Sequence, residues 1–311
     1  MKNSSFSEIQ PNLQLAWDST SLGALKECPM KYYYSIVEGY VPRAQSVHLT
    51  FGLHYHGALE RYDHAKAQGL DHEAATAAAV RYALEVTWNY QLNRPWISDD
   101  RNKNRFTLVR TVVWYLEEFK DDPLETVILA SGKPAVELSF RFETSYSSFE
   151  NEKFWLCGHL DRVATLNGDA YIADRKTTGH TINQDFFAKF TPDNQFSTYS
   201  LGGKIAYSLP LHGLIVDGVQ IAVNFSRFER GIVERKQDTL EEWYKDLGMW
   251  LEQAETYARR GHWPHNDKAC HHFNGCPYRE VCKHSPSVRN EWLERLYVRR
   301  IWDPLQIRGD I

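Results

Sequence analysis

With 42% hydrophobic and 14% aromatic residues, this 311-residue chain can bury one large core, which excludes a disordered polymer. A net charge of −4 excludes a globally basic nucleic-acid binder, so any phosphate-binding surface has to be a local patch. No run approaches the roughly 18 apolar residues of a membrane helix, Met1 to Gln14 is too polar for a secretory leader, and five cysteines do not make a secreted disulfide framework, so a soluble cytoplasmic protein is expected.

Residues 19 to 37 run through Cys28-Pro29 into Lys31-Tyr32-Tyr33-Tyr34, which predicts a short helix interrupted at the proline. A second helix is expected over about 50 to 67, where His56 and Glu60, four apart, share a face and His54 points elsewhere. Asp71 is a good cap for an alanine-rich helix reaching about Tyr90. Another helix carries Phe106 to Lys120 and stops before Pro123. Arg101, Lys103, Arg105 and Arg110 make its approach locally basic; an ordinary solvated face is the plain reading and a DNA contact the sharper one. From Ala135 to Thr144 the pattern turns to strand. Glu137 reads there as an exposed strand acid or as a partner of a nearby site.

Cys157 to Thr178 reads as a β-hairpin around Asn167-Gly168, the dipeptide a two-residue type I′ turn prefers because both positions need φ > 0. With that turn Leu166 faces Asp169, and counting back sets Asp161 opposite Asp174. The period of two puts Lys176 on the same face. Carboxylates so opposed, with Cβ atoms roughly 5 Å apart, repel unless something neutralises them, and a divalent cation does so. Solvated surface acids are the plain alternative.

Residues 182 to 208 return to helix, with Gln195 and Tyr199 on one face, and 214–226 and 228–236 read as strands. Asp238 with Glu241 resembles a capping box opening an amphipathic helix through Leu240, Trp243 and Leu247 to Gly261. Beyond lie Cys270, His271, His272, Cys276, Cys282 and His284, then a basic tail with Arg289, Arg295, Arg299, Arg300 and Arg308. There is no internal repeat and no G-x-x-x-x-G-K-[ST] run, so no built-in nucleotide-driven motor is indicated.

His56, Asp161, Asp174 with Lys176, and Gln195 with Tyr199 form an ordered set: a helical histidine, a strand acid, an acid-x-lysine strand and a glutamine-tyrosine helix. The set resembles the PD-(D/E)XK nuclease superfamily, and within it the RecB-like exonuclease branch of CRISPR-associated, helicase-nuclease and phage-encoded enzymes. Its local motifs are Gly52-x3-His56-x2-Leu59-Glu60, Gly158-x2-Asp161, Asp174-x-Lys176 and Gln195-x3-Tyr199. Each is short; their order and spacing from Ser19 to Cys282 carry the likeness. The resemblance implies a restriction-endonuclease-like α/β fold, a mixed central sheet flanked by helices, with an N-terminal helical elaboration and a cluster-bearing C-terminal segment. It also implies Mg²⁺ or Mn²⁺ held by His56, Asp161, Asp174 and the backbone carbonyl of Arg175. The metal would lower the pKa of a bound water and offset charge on the scissile phosphate. Lys176 would orient or deprotonate that water, or steady the developing charge. Gln195 and Tyr199 would position the lysine or the DNA backbone. Glu60 is a lesser candidate and His54 a weak competitor of His56.

The same resemblance implies a [4Fe-4S] cluster on Cys28, Cys270, Cys276 and Cys282 that ties the ends of the chain together. The Cys276-x5-Cys282 spacing matches the branch, whereas Cys270-x5-Cys276 departs from its usual Cys-x2-Cys. His271, His272 and His284 leave a zinc site open as the alternative. Cys157 is expected in the core.

One compact unit with three regions is expected: 1–130 helical, 131–262 the nuclease core, 263–311 the cysteine-rich segment and basic tail. The expected activity is metal-dependent hydrolysis of DNA, exonucleolytic on single-stranded or frayed ends, with recombination, repair, phage or CRISPR-adaptation proteins as partners and no membrane. A single strand needs a basic groove with aromatic platforms; Lys31 with Tyr32 to Tyr34, the Arg101 to Arg110 region and the arginine-rich tail are the candidates. A non-catalytic DNA-end or partner-binding protein and a zinc-containing structural protein are the alternatives.

Overall fold

The structure is a computed structural model that describes residues 5–44, 46–271 and 275–306. The first half contains β1 (Ala16–Trp17), α1 (Ser19–Glu27), α2 (Pro29–Tyr32), β2 (Tyr40–Pro42), α3 (Val47–Ala67), α4 (His72–Val86), β3 (Trp88–Asn89), β4 (Arg94–Pro95), α5 (Arg105–Glu118) and β5 (Glu125–Thr126). The second half contains β6 (Val136–Ser147), β7 (Lys153–Leu166), β8 (Asp169–Thr178), α6 (Gln184–Ala188), α7 (Asn194–Ala206), β9 (Leu211–Ile221), β10 (Ser226–Val233), α8 (Gln237–Arg260), α9 (Arg279–Cys282), α10 (Arg289–Leu296) and β11 (Tyr297–Arg299).

Seven strands form one mixed sheet in the order β1-β7-β8-β9-β10, with β5 and β6 also pairing with β7. The β1–β7 and β8–β9 pairs are parallel and the others antiparallel. Alternation along β8 and β9 sorts side chains to two faces. Ile172, Leu214 and Val216 join a core with Phe196 and Tyr199 of α7 and Trp243 and Leu247 of α8. Val219 and Ile221 join a second core with Phe51, Tyr55 and Leu59 of α3, Ala79 of α4 and Leu108 and Tyr115 of α5. Helices therefore cover both faces of the sheet, as expected for an α/β layer architecture. Among the described residues no helix is long and apolar enough to cross a membrane.

The long strand β7 organises the site. Along one edge it pairs with β1 at Trp155 and Leu156 and with β8 from Arg162 to Leu166. Residues 157 to 161 lie between these two partners, and the break leaves a cleft in the sheet.

Three sequence expectations are corrected here. The helix expected to reach Tyr90 ends at Val86, because Trp88 and Asn89 pair with Arg94 and Pro95 in a small ribbon. The single helix expected over 182–208 is two, α6 and α7, separated at Pro192, which lacks the N–H to continue a helix; Asp193 then caps α7 by accepting from Phe196 N at 3.0 Å. The expected capping box at Asp238 does not form. The N-cap is Lys236, two residues earlier, and Asp238 instead accepts from Thr239 N at 2.8 Å inside the first turn, where its charge still favours the helix N-terminus. At the other end of α8, Gly261 takes the left-handed conformation at φ 59° that closes a helix without a Cβ penalty.

Candidate active site

The hairpin has the register read from Asn167-Gly168: Leu166 faces Asp169 and the ladder runs back to Arg162 facing Ala173. One residue further, Asp161 and Asp174 come together, and each pulls on the titration of the other. On the opposite edge of β7, Val136 pairs with Arg162 and Leu138 with Leu160, so Glu137 falls across from Asp161. Three acids from three neighbouring strands, Glu137, Asp161 and Asp174, thus stand in one row. Glu137 is held at φ 49°, a left-handed conformation uncommon for a residue with a side chain.

Beyond the end of the β7–β8 ladder, the Arg175 carbonyl accepts a hydrogen bond from His56 Nε2 of α3 at 2.7 Å. That bond fixes the imidazole so that Nδ1 lies 3.2 Å from Asp161 Oδ2. From β8, Lys176 Nζ donates to Asp174 Oδ1 at 3.0 Å and to Gln195 Oε1 at 2.8 Å. Gln195 Nε2 donates to the Tyr199 hydroxyl at 2.7 Å, which reaches Asp161 Oδ1 at 3.4 Å. The helical pair one turn apart on α7 therefore links the lysine to the second acid.

Asp174 is fully buried, while Lys176 and His56 keep about a quarter of their side-chain surface open, at 28% and 26%. Burial first, and then the negative charge of Asp161, lifts Asp174 to about 7 against the opposing pull of Lys176. Burial acts upward on Asp161 as well, but His56 and Lys176 outweigh it and hold that carboxyl below the usual range. Burial lowers Lys176 and His56, and the two aspartates more than reverse this, so both sit above their ordinary values. Asp161 Oδ2 and Asp174 Oδ2 are buried and accept no hydrogen bond among the described residues. Lys176 Nζ is 2.8 Å from Asp174 Oδ2, an ion-pair contact without hydrogen-bond geometry.

His56, Glu137 and Asp161 each offer a ligand atom, and these atoms lie within 4.8 Å of one another. This imidazole and two carboxylates make a donor set that fits a hard divalent cation such as Mg²⁺ or Mn²⁺; Asp174, in contact with Lys176, stands beside these three and is not one of them.

The family model of the PD-(D/E)XK nuclease superfamily matches residues 17–283. The chain belongs to the PD-(D/E)XK nuclease superfamily. No curated protein matches its sequence. Two solved structures are similar in part. One is a candidate exonuclease from Eubacterium rectale, at 10% identity and a TM-score of 0.48, covering 88% of this chain and 93% of that one. The other is the protein SSO0001, at 9% identity and a TM-score of 0.25, covering 47% of this chain and 58% of that one. The family match places this chain, not these distant likenesses.

Within this PD-(D/E)XK chain, Glu137 is the site residue that sequence reasoning treated as peripheral. The β6–β7 hairpin shifts register between Glu143 and Ser147, so counting back from its turn misplaces Glu137 by two residues. Lys103 was read only as part of a basic patch. It is buried, donates to Thr177 Oγ1 at 3.1 Å next to Lys176, and lies 5.1 Å from the Phe51 ring centroid. Glu60 lies 3.7 Å from His64 and His54 packs against Trp96, so neither joins the acid row.

The side chain of Arg175 points to the other face of the sheet, where it contacts Asp63 at 3.4 Å and donates to the Tyr115 hydroxyl at 3.2 Å. Tyr115 in turn donates to Asp217, which also accepts from Arg230. This buried network anchors β8 from behind.

The DNA-platform expectations are corrected in part. Tyr32 and Tyr34 are buried, Tyr32 stacked on Trp17, and Lys31 is paired with Glu27; the apolar demand of the core takes these rings. Arg110 holds the β9–β10 turn through the carbonyls of Ala222, Val223 and Phe225, and Arg105 holds the end of α4 through Leu84 O and Thr87 Oγ1. In the tail, Arg289 donates to the carbonyls of Cys282 and His284, and Arg299 pairs with Glu38. Arg308 lies outside the described residues.

The cysteine-bearing segment packs back on the N-terminal region. Asn266 N donates to Cys28 Sγ at 3.4 Å, and Cys270 Sγ donates to Asn266 O at 3.8 Å. Burial pushes the Cys276 thiol up and the Cys282 thiol to about 11, and both feel Cys28 and Cys270. Asn266 thus touches both Cys28 and Cys270, Cys276 N donates to Cys270 O at 3.1 Å, and Cys276 and Cys282 pack on a cluster of Tyr34, Tyr278, Val281 and Tyr297. Cys157 is a core residue whose thiol donates to Trp17 O at 3.3 Å. His284 stacks on Trp292, and His272 lies outside the described residues.

Proposed function

We propose that this chain is a divalent-metal-dependent deoxyribonuclease that removes nucleotides from single-stranded or frayed DNA ends. One observation carries the reading: the row Glu137, Asp161 and Asp174 stands beside an ammonium held at a fixed position by Asp174 and Gln195. A protein that only bound DNA would have no use for a buried acid pair.

His56, Glu137, Asp161 and Asp174, with the Arg175 carbonyl nearby, would hold Mg²⁺ or Mn²⁺, which supplies an activated water and neutralises charge on the phosphate. The other steps fall to the chain itself. Lys176, kept protonated by its acidic neighbours, donates to the attacking water or to a phosphate oxygen and stabilises the charge that develops there. Gln195 accepts from Lys176 and donates to Tyr199, so the amine keeps one orientation. His56 would offer Nδ1 to the ion, and its ring is oriented for this by the Nε2 hydrogen bond to the Arg175 carbonyl.

Asn266, which touches Cys28 and Cys270, and the backbone bond from Cys276 to Cys270 support a structural [4Fe-4S] cluster on these three cysteines and Cys282, since an all-thiolate set suits iron-sulfur chemistry. Membership in the RecB-like branch and a place in recombination, repair or CRISPR adaptation belong to the same proposal. The decisive assay follows end-labelled single strands in Mn²⁺. Wild type degrades them, and Asp174→Ala and Lys176→Ala each lower the rate by about 10²-fold or more while the fold survives by circular dichroism. Undiminished cleavage by both variants would refute the assignment.

A further inference from the structure

A cavity of about 340 Å³ adjoins the acid row, and its lining joins the site to the far end of the chain. Glu137, Asp161 and Tyr199 line it together with Arg300, Trp302 and Pro304. The stretch of β7 without a partner strand on that edge, Cys157 to Asp161, contributes Gly158 and His159 to the same wall. Ser19 and Thr20, at the start of α1, add hydroxyl-bearing residues.

The C-terminal segment is a fixed wall. β11 pairs with β2 immediately before it, and Arg300 N donates to Gly39 O at 2.7 Å. Trp302 packs on the main core and its Nε1 donates to Asp18 Oδ1 at 3.4 Å. Asp303 accepts from Ser5 Oγ at 2.7 Å, and Pro304 is buried. Asp18, buried at the head of α1, thus serves both as helix cap and as anchor of the indole.

The lining sets four acids, Asp18, Glu137, Asp161 and Asp303, against the guanidinium of Arg300 and the indole of Trp302. An indole offers a face on which any base can stack. Arg300 makes no ion pair among the described residues, and a guanidinium of that kind suits a phosphate. The acids mark where a scissile phosphate and its cation would lie. The volume is at the low end of the ~300–1,000 Å³ of small-ligand sites, which suits one nucleotide unit and not a duplex.

We propose that this cavity seats the terminal nucleotide of a DNA strand, with Trp302 stacking its base and Arg300 meeting its phosphate, and that the C-terminal wall thereby restricts the enzyme to free ends. The inference rests on the nuclease reading above and names its substrate as a strand terminus.

The test has a binding arm and a cleavage arm. Single strands carrying 2-aminopurine at the 5′ end, the 3′ end or the middle are titrated with metal-free full-length protein. One terminal position is quenched more strongly than the middle, Trp302→Ala removes that difference, and Trp302→Phe keeps part of it. In Mn²⁺, linear single strands are degraded and circular ones persist. The exposed-site variant Arg300→Ala raises KM for linear strands about tenfold with kcat little changed. Circles cut as fast as linear strands, or equal quenching of terminal and internal probes in wild type, would overturn the proposal. Failure to cut either substrate would sink the nuclease reading, and the metal-free fluorescence would still decide what the cavity binds.

Discussion

Asp174 shows how one buried residue sets the pH behaviour of the site. Its carboxyl titrates near 3.8 when unfolded and is raised to about 7 in the metal-free fold. The folded state therefore holds this proton more tightly, and the stabilisation is complete below the unfolded value and lost as pH rises through the folded one. The melting temperature of metal-free protein should fall between about pH 4 and pH 7 for this reason. A metal must displace the same proton, so calorimetry should show Mn²⁺ affinity rising by up to about tenfold per pH unit toward neutrality and levelling above it. Glu137 adds a third carboxyl group, held in a left-handed conformation and within 4.8 Å of the His56 and Asp161 ligand atoms. Glu137→Gln should shrink the stabilisation that Mn²⁺ confers in urea melts.

At the scale of elements, the β7–β8 hairpin was the most legible part of the chain, because Asn167-Gly168 fixes both turn and register and Asp161, Asp174 and Lys176 follow by alternation. Gln195 and Tyr199 were legible for the same reason, one helical turn apart. Glu137 was not, since a register shift in the preceding hairpin hides its position. Tyr32 and Tyr34 have the chemistry of stacking platforms in sequence, and burial in the core decides their place instead. How α7 approaches the sheet was also invisible in sequence. A Cβ on Gly202 would lie 2.6 Å from the Phe140 ring, and one on Gly158 would lie 3.0 Å from it, so two glycines make room for one aromatic. Gly202→Ala should cost about 1–3 kcal/mol of stability by denaturant melts and lower activity by shifting Gln195 and Tyr199.

Across the whole molecule, the two ends of the chain meet at three places among the described residues: at Cys28 with Asn266 of the cysteine-bearing segment, where β2 pairs with β11, and at the wall of the cleft where Ser5 and Asp18 hold Asp303 and Trp302. A cluster on the four thiolates would close a very long loop and restrict the unfolded chain accordingly. Cys282→Ser should therefore abolish the visible absorption of an iron-sulfur chromophore and lower the melting temperature, with more zinc than iron in the purified protein standing against this assignment.

The central claim is that the acid row holds a cation on which Lys176 acts without being its ligand. Paired measurements of Mn²⁺ binding by calorimetry and single-strand degradation on Lys176→Met and Asp161→Asn test it most directly. Lys176→Met should bind Mn²⁺ at least as tightly as wild type yet fail to degrade DNA, while Asp161→Asn should lose about 10-fold or more in affinity together with activity. Wild-type Mn²⁺ affinity in Asp161→Asn, or full activity in Lys176→Met, would contradict the account.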